Sequence, residues 1–294
     1  MVSWPDLGTR VTVRYRRPAG SVPPLTDAVG YLAGVDPLVR VRTKTGAVVE
    51  FAPSDVVALR VLTDVPIRTS EIRALEHAAA LAWPGLEQTW LDGWLLRTGR
   101  SAGLAANSAL PLDISAHAAA IPAIVAWYRR RGLPARLALP DRLLAPPPGP
   151  AEYMDRVLVR DVSEVAADPS ITLTARPDEG WLQTHWREIP VDALTAVRDG
   201  ELTFGAHPGG AVARAALTDA PDGTRWLGLS ALRAPDAQSA AAVCEALLAW
   251  GVDRGATRCY TDAPDRRAVP VLDSLGFRLH HRRRYIRAES MDTV

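Results

Sequence analysis

Cysteine is scarce in this sequence of 294 residues, and long apolar runs are absent. Cys244 and Cys259 are its two cysteines, so the chain has neither a disulfide framework nor the ligand spacing of a metal site. We expect both to be small core residues, and a reactive thiol is the alternative. No apolar run is long enough to cross a bilayer, and Met1 to Asp6 lack the basic and apolar regions of a signal peptide. These absences predict a cytoplasmic protein that does not enter a membrane and binds no metal.

A strong net charge is missing as well, because 34 lysines and arginines face 33 aspartates and glutamates and leave a formal charge of +1. Such a balance gives no overall attraction to nucleic acid or to an anionic membrane, so either partner would need a local basic patch. What the sequence does have is an apolar fraction of 48%, which is typical of a globular core. Its length predicts two or three folding units.

Residues 1–66 are rich in short segments that alternate apolar and polar residues, at Thr9–Tyr15, Leu38–Thr43 and Ala47–Phe51. Several strands in so few residues predict a small closed β-barrel, whose pattern resembles the Src-homology-three type. Basic residues along these strands could form a face for nucleic acid, namely Arg14, Arg16, Arg40, Arg42 and Lys44. A solvated strand face is the simpler interpretation, so we do not expect nucleic acid as a partner.

Residues 67–160 predict a second unit that mixes helices and strands. Ser70 is placed to cap a first helix that ends at Trp83. The pattern then predicts strands and one further helix, with strands at Trp90–Arg97, Ala105–Leu112 and Ala135–Leu139 and the helix at Ala116–Arg131. The proline-rich segment 146–150 predicts a linker or a long loop.

Residues 161–294 predict a third unit, in which an antiparallel meander precedes a series of alternating strands and helices. Its centre is a buried strand at Trp226–Pro235 and a helix at Asp236–Gly251, whose first turn points at the end of that strand. A last strand spans Phe277–Ile286. The fold class predicted is α/β (α+β), a mixed sheet flanked by helices after a small all-β barrel domain.

The C-terminal sequence resembles that of the GNAT superfamily of acyl-CoA-dependent N-acetyltransferases. The resemblance covers residues 173–287 and rests on four segments, Trp226–Pro235, Ala246–Gly251, Gly255–Tyr260 and Leu275–Tyr285. Residues 75–159 are similar more weakly, as a degenerate half of the same fold. The layout, with a small barrel first, looks like an actinobacterial two-part branch of the superfamily. The resemblance implies an acyltransferase with acetyl-CoA as its co-substrate.

The same resemblance implies where acetyl-CoA binds. In the family the strand matching residues 229–232 separates from its neighbour and binds the pantetheine arm through its backbone, and a glycine-containing loop then surrounds the pyrophosphate with N–H donors. Here that loop has no glycine, and Asp236 combines an ordinary helix cap with a repulsive charge beside the expected anion. The residues expected to bind acetyl-CoA are Leu229, Ser230, Ala231, Leu232, Gln238, Ser239, Ala240 and Ala241.

Spacing does not single out the groups that transfer protons in this chain. Where the resemblance implies an asparagine and a tyrosine that acts as general acid, the sequence has Asp265 and Leu272. Other tyrosines could substitute, although packing is the simpler role of a tyrosine on a strand. The candidates are Tyr260 and Tyr285 for the acid, and His185, Glu188, Asp192 and His207 for the base.

Basic residues are concentrated in the last strand. Alternation along a strand divides them between its two faces. One face could meet the phosphates of coenzyme A or an acidic partner, and a solvated edge strand is the alternative. One face would carry Arg278, His280, Arg282 and Arg284, and the other His281, Arg283, Tyr285 and Arg287.

The sequence thus predicts an acetyltransferase in which a primary amine of a small molecule or protein attacks the thioester of acetyl-CoA directly in a ternary complex. The barrel would assist binding or assembly, and a homodimer is compatible with this arrangement. The alternative is a GNAT-fold binding or regulatory module that has lost catalysis and acts through protein or nucleic-acid contacts. Its motivation is the missing glycine loop and the missing tyrosine.

Overall fold

The computed structural model describes residues 4–5, 9–43, 47–62, 67–145, 151–162, 168–185, 189–263 and 269–288. The chain forms two compact units, Met1–Ile67 and Arg68–Val294. Each unit has its own hydrophobic core. The division lies next to the first boundary predicted from the sequence, after residue 66.

The first unit is one antiparallel sheet of five strands in the order β4-β3-β2-β1-β5. The alternation of apolar and polar residues along the strands gives the sheet one buried face, since Val11 and Val13 are buried while Arg14 points to solvent. Over the part of the chain that the structure describes, β4 and β5 do not pair, so the sheet is open rather than the closed barrel predicted. The strands are β1 (Arg10–Arg16), β2 (Leu25–Gly34), β3 (Val39–Thr43), β4 (Val48–Phe51) and β5 (Val56–Val61).

The basic face predicted on this sheet is partly neutralised. Arg14 lies directly opposite Asp27 in the β1–β2 register, with Nε 2.8 Å from the carboxylate. Arg40 lies opposite Glu50 in the β3–β4 register at 3.2 Å. Lys44 lies outside the described residues. These cross-strand ion pairs agree with a solvated strand face.

The second unit is built on one sheet of eleven strands, in the order β11-β12-β13-β14-β15-β10-β16-β9-β8-β7-β6. The strands are β6 (Glu87–Leu91), β7 (Trp94–Thr98), β8 (Ala109–Pro111), β9 (Arg136–Pro140), β10 (Tyr153–Asp161), β11 (Thr172–Thr174), β12 (Gly200–His207), β13 (Ala211–Asp219), β14 (Arg225–Arg233), β15 (Arg258–Ala263) and β16 (Arg278–Arg287). The helices are α1 (Thr69–Ala82), α2 (Ile121–Arg129), α3 (Glu179–Thr184), α4 (Val191–Leu194), α5 (Ala237–Val252) and α6 (Val269–Ser274).

Two parts of this sheet repeat one connectivity. The pairs β7–β8 and β13–β14 are antiparallel, the pairs β8–β9 and β14–β15 are parallel, and a helix joins each parallel pair. The strand that follows each part in the sequence pairs with the other part. β10, which follows β9, pairs with β15, and β16, which follows β15, pairs with β9. The boundary predicted at residue 160 therefore falls inside β10, and residues 67–160 and 161–294 share one sheet and one compact unit. Their description as two GNAT-like halves stays a prediction.

Helices cover both faces of the sheet. On one face α5 packs against β13, β14 and β15 over Leu227, Leu229 and Leu247. Cys244 and Cys259 are buried there, and burial raises the pKa of both thiols, which confirms that they are core residues. On the opposite face α1 packs over β13, β14 and β15. That second face, beneath α1, carries the cavity described below.

Two helix starts differ from those predicted. The N-cap of α1 is Arg68 and not Ser70, because the carboxylate of Glu71 accepts the Arg68 N–H at 2.7 Å and Ser70 already lies within the first turn. The helix predicted at Ala116–Arg131 begins at Ile121 after a short 3₁₀ turn. Pro122 occupies its first turn, where the missing N–H of proline costs nothing.

The strand predicted at Trp90–Arg97 is a hairpin. Asp92 and Gly93 have positive φ angles of 45° and 81°, which suit the tight turn between β6 and β7. The segment Ala105–Leu112 is a strand only at its end, in β8, and its first residues form a 3₁₀ turn.

Within the described residues no helix is long and apolar enough to cross a membrane. The same part of the chain contains no cluster of three or more His, Cys, Asp or Glu side chains placed to hold a metal ion.

Candidate functional site

The two parallel strands β14 and β15 separate at their C-terminal ends. Their pairing runs from Trp226 opposite Arg258 to Leu229 opposite Thr261, and β14 then continues to Arg233. On its other side β14 has an irregular register with β13, and Ala231 has a positive φ of 54°. This distortion turns the end of β14 away from β15, so the backbone after residue 229 is not used by that neighbour.

A cavity of about 410 Å³ lies at this opening. Leu229, Ser230 and Ala231, three of the residues predicted to bind acetyl-CoA, line it, and so does Gly228; their binding to acetyl-CoA stays a prediction. Leu232 does not line it, because its side chain packs against the core between the sheet and α5. The volume is within the range of small-molecule sites.

Charged side chains from elements far apart in sequence meet in this cavity. Glu76 comes from α1, Asp155 from β10, Asp262 from β15 and Arg283 from β16. Two further arginines, Arg97 of β7 and Arg214 of β13, complete the charged lining. Of these residues only Arg283 was named as a candidate from the sequence, as one of the basic residues of the last strand.

Arg283 is the centre of the carboxylate cluster. Its guanidinium lies 2.9 Å from Glu76, 3.2 Å from Asp262 and 3.7 Å from Asp155. Burial alone raises the pKa of Glu76, but the charge of Arg283 and the hydrogen bond from His281 outweigh burial and bring that pKa to about 2. Glu76 is therefore a permanent anion that holds Arg283 in place.

Asp155 is the carboxylate best suited to accept a proton. Burial, and then the neighbouring charge of Asp262, raise the pKa of Asp155 to about 6, although Arg283 opposes this shift. The neighbouring hydroxyl of Tyr285 also lowers the pKa of Asp155, by less than Arg283 does. A base with such a pKa is unprotonated at neutral pH and still basic enough to take a proton from an ammonium group.

Tyr260 lies over the backbone of β14. A Cβ added to Gly228 would come within 2.3 Å of the Tyr260 hydroxyl, so only glycine leaves room for this ring. Burial raises the pKa of Tyr260, so the hydroxyl keeps its proton. Tyr260 lines the cavity one residue before the strands separate, whereas Tyr285 is fully buried beside Arg283.

The base candidates from the sequence lie elsewhere. His185 is buried and stacks on Trp181, with ring centroids 5.1 Å apart. Asp192 is exposed near Arg100, and His207 accepts a hydrogen bond from the amide of Gly209 at 2.8 Å. Glu188 and Asp265 lie outside the described residues. Leu272 is buried in the core, as a residue without a proton donor would be.

The start of α5 is occupied by its own cap. Asp236 accepts hydrogen bonds from the amide of Ser239 at 2.8 Å and from its hydroxyl at 2.9 Å, and these bonds lower the pKa of Asp236. The amide of Ala240 donates to the Asp236 carbonyl at 3.2 Å. Among the residues expected to bind pyrophosphate, Gln238, Ser239, Ala240 and Ala241, the donors of Ser239 and Ala240 are thus already used. Their binding to pyrophosphate stays a prediction.

The last strand is not an edge strand. β16 lies between β10 and β9, and the register with β10 shifts between Val157 and Leu158. The shift places both His280 and His281 in the interior, with their Nδ1 atoms 2.8 Å apart, and His281 Nε2 lies 2.6 Å from Glu76. The predicted division of faces by simple alternation is therefore wrong at this bulge.

Comparisons with known proteins show the family of the chain. A family described as "Probable histone acetyltransferase Rv0428c C-terminal" matches residues 69–286, and one described as "Rv0428c N-terminal Sm-like domain" matches residues 5–60. The Probable histone acetyltransferase Rv0428c of Mycobacterium tuberculosis is 63% identical over 297 residues, which cover 99% of this chain and 98% of that protein. The solved structure of a GCN5-related N-acetyltransferase from Kribbella flavida has a TM-score of 0.52 at 13% identity and covers 72% of this chain and 93% of that one.

The second unit has the fold of the GNAT N-acetyltransferases, and it matches a family described as a probable histone acetyltransferase domain. The chain belongs to the two-part Rv0428c family, with an acetyltransferase domain after a small all-β domain. The GNAT prediction and the two-part layout are thereby confirmed. The family that matches the first domain is described as Sm-like.

Proposed function

We propose that this protein transfers an acetyl group from acetyl-CoA to a primary amine by direct attack in a ternary complex. The observation that carries the proposal is the opening between β14 and β15, where residues 230 and 231, which β15 does not pair, and the carboxylate of Asp155 line one cavity. The pantetheine arm would bind to the backbone of β14, which has donors and acceptors to spare there. This places the thioester beside a base.

The residues divide the proton transfers between them. Asp155 takes a proton from the ammonium of the acceptor, so that the free amine can attack the thioester carbonyl. As the C–N bond forms, the C–S bond breaks, and Tyr260 donates a proton to the leaving thiolate. The acetylated nitrogen then loses its extra proton, and this proton restores the Tyr260 hydroxyl by way of solvent. Arg283 and Glu76 bind no substrate in this scheme, and they hold Asp155 and Asp262 in position.

The acceptor is a primary amine. The mycobacterial relative is named a probable histone acetyltransferase, so a lysine side chain of a basic protein is one acceptor to assay. A cytoplasmic location and a homodimer, both expected from the sequence, stay predictions.

Release of the coenzyme A thiol tests this function. Wild-type protein is expected to release thiol from acetyl-CoA when an amine is added, and Asp155→Asn to lose on the order of 10²-fold to 10⁴-fold in rate. Asp161→Asn is the matched control, because Asp161 lies on the same strand with 68% of its side chain exposed. Equal rates for Asp155→Asn and wild type would contradict the role of Asp155.

Two observations favour the second candidate function, a binding or regulatory module. The capping carboxylate of Asp236 places a negative charge where the family binds pyrophosphate, and Leu272 replaces the family's proton donor. Acetyl-CoA binding without amine-dependent thiol release would favour this module over the enzyme.

A further inference from the structure

Three buried arginines line the cavity, and in two of them every guanidinium nitrogen makes a hydrogen bond. Arg283 binds the three carboxylates already described. Arg214 donates through Nε to the carbonyl of Leu194 at 2.7 Å and through Nη2 to those of Ala82 at 2.8 Å and Ala196 at 2.7 Å. Its Nη1 also donates to Ser230 at 3.3 Å, and the guanidinium lies 4.5 Å above the ring of Trp83. Arg214 is therefore a structural residue of the cavity wall.

Arg97 differs from both. It is only 3% exposed, and its guanidinium makes one hydrogen bond, from Nη1 to the carbonyl of Trp83 at 3.3 Å. Its Nε is buried and has no partner, and no carboxylate of the described residues lies within 4.0 Å of the guanidinium. Burial lowers the pKa of Arg97. A guanidinium has five N–H donors, so most of those of Arg97 are unused.

An uncompensated buried cation is costly, and native proteins rarely keep one without a reason. Since Arg97 faces the cavity, an anion that enters can take up its unused donors. A carboxylate matches the planar fork of a guanidinium, because two parallel N–H···O bonds can form at once. The pattern therefore points to a ligand with a carboxylate.

The cavity lining carries groups of both signs. Glu76, Asp155 and Asp262 lie around Arg283, while Arg97 and Arg214 both contact Trp83 and have no carboxylate within 4.0 Å among the described residues. The same cavity thus offers a base to an ammonium and unused guanidinium donors to an anion. A molecule with both groups is complementary to this arrangement.

We propose that the amine acceptor is a small zwitterion, an amino acid or a similar amino carboxylate, whose carboxylate binds Arg97 while its ammonium faces Asp155. The transfer step rests on the proposed function, but the binding of the carboxylate does not. A lysine of a basic protein has no carboxylate next to its ammonium, and Arg97 would stay uncompensated in that complex.

The test uses matched pairs of ligands with the full-length protein. L-amino acids and the ω-amino acids from β-alanine to 6-aminohexanoate are compared with their carboxamides, by calorimetric titration without acetyl-CoA and by thiol release with it. At least one acid is expected to bind about tenfold more tightly than its carboxamide, as the loss of a charge-assisted pair implies. Arg97→Gln is expected to remove that difference.

Arg100→Gln is the matched control, because Arg100 lies three residues further along with 76% of its side chain exposed. It is expected to keep the preference for the acid. The affinity for acetyl-CoA is expected to be the same in wild type and Arg97→Gln, and a tenfold loss in the variant would assign Arg97 to the phosphates of coenzyme A and overturn the proposal. The ligand comparison in wild type stands by itself if Arg97→Gln fails to fold.

The outcomes separate this inference from the proposed function. Thiol release with simple amines or with a lysine-rich histone peptide, and no preference for any acid over its carboxamide, would overturn the carboxylate site and leave the acetyltransferase intact. Binding of an acid that depends on Arg97, with no thiol release from acetyl-CoA, would keep the carboxylate site and contradict the acetyltransferase.

Discussion

At the scale of single residues, the site depends on how neighbouring charges set the behaviour of Asp155. Burial and Asp262 raise the pKa of Asp155, and Arg283 lowers it. Because a base must be unprotonated to act, kcat/KM is expected to fall as the pH drops below about 6, with an apparent pKa that belongs to the pair of carboxylates.

Asp262→Asn changes that balance in a predictable direction. The variant removes a like charge beside Asp155, so the pKa of Asp155 falls and the acid limb of the kcat/KM profile moves to lower pH. The measurement is the pH dependence of thiol release between pH 5 and 8. An acid limb that stays in place or moves to higher pH would contradict the assignment of Asp155 as base.

The sign of the stability effect gives an independent check on Asp155. A folded-state pKa above the ordinary value of 3.8 means that the folded protein binds the proton more tightly. The protonated carboxyl of Asp155 therefore stabilises the folded protein at low pH, and this stabilisation is lost as the pH rises through about 6. We therefore expect Asp155→Asn to keep or raise Tm at pH 8 while it loses activity, and a Tm well below that of wild type would show that its lost activity comes from unfolding.

Gly228→Ala tests the position of Tyr260. The added Cβ would overlap the Tyr260 ring, so the hydroxyl must move and kcat is expected to fall on the order of 10²-fold, as for the loss of a general acid. Gly180→Ala is the control, because its Cβ would meet the nearest atom at an ordinary 3.5 Å. If Gly228 acts through Tyr260, the double variant with Tyr260→Phe will be no slower than Tyr260→Phe alone, and additive losses would refute this.

At the scale of elements, β14 and α5 were predictable from sequence because local pattern determines them. The buried strand, the capping Asp236 and the helical periodicity after it are all properties of neighbouring residues. The bulge on β16 was not predictable, since a register shift depends on the partner strand β10. The same bulge brings His281 to Glu76, so part of the site follows from pairing and not from local sequence.

The N-terminus of α5 gives a prediction at this scale. Asp236→Asn keeps a side-chain oxygen that can cap the helix and removes the negative charge beside the expected pyrophosphate. We expect acetyl-CoA to bind more tightly to Asp236→Asn than to wild type in a calorimetric titration, with little change in Tm. Unchanged affinity would show that the phosphates bind away from the start of α5.

At the scale of the whole molecule, the cavity exists because distant segments meet. The sequence predicted helices and strands in residues 67–160 and 161–294 and indicated a shared fold, but it treated them as separate units. Glu76, Asp155 and Arg283 come from α1, β10 and β16, and strand exchange brings the last two together. Glu76 is an acidic residue within the mostly apolar stretch Ala74–Ala82, and this was the one sequence signal that could have marked it as a buried charge. No sequence pattern could name its partners.

The exchange of strands between residues 68–145 and residues 151–294 predicts that neither half folds when it is expressed alone. Residues 68–145 lack β16 beside β9, and residues 151–294 lack α1 and the strand β9 that pairs with β16. Each half expressed alone is expected to show no cooperative thermal transition, and the two halves expressed together to recover one. A cooperative transition in either half alone would contradict the dependence on exchanged strands.

The most direct measurement of the central claim is thiol release from acetyl-CoA by wild type, Asp155→Asn and Asp161→Asn, with and without an added amine. The account predicts release that requires the amine, that persists in Asp161→Asn, and that falls at least on the order of 10²-fold in Asp155→Asn. Amine-dependent release at the wild-type rate from folded Asp155→Asn protein would contradict it, and so would no release from wild type with any amine.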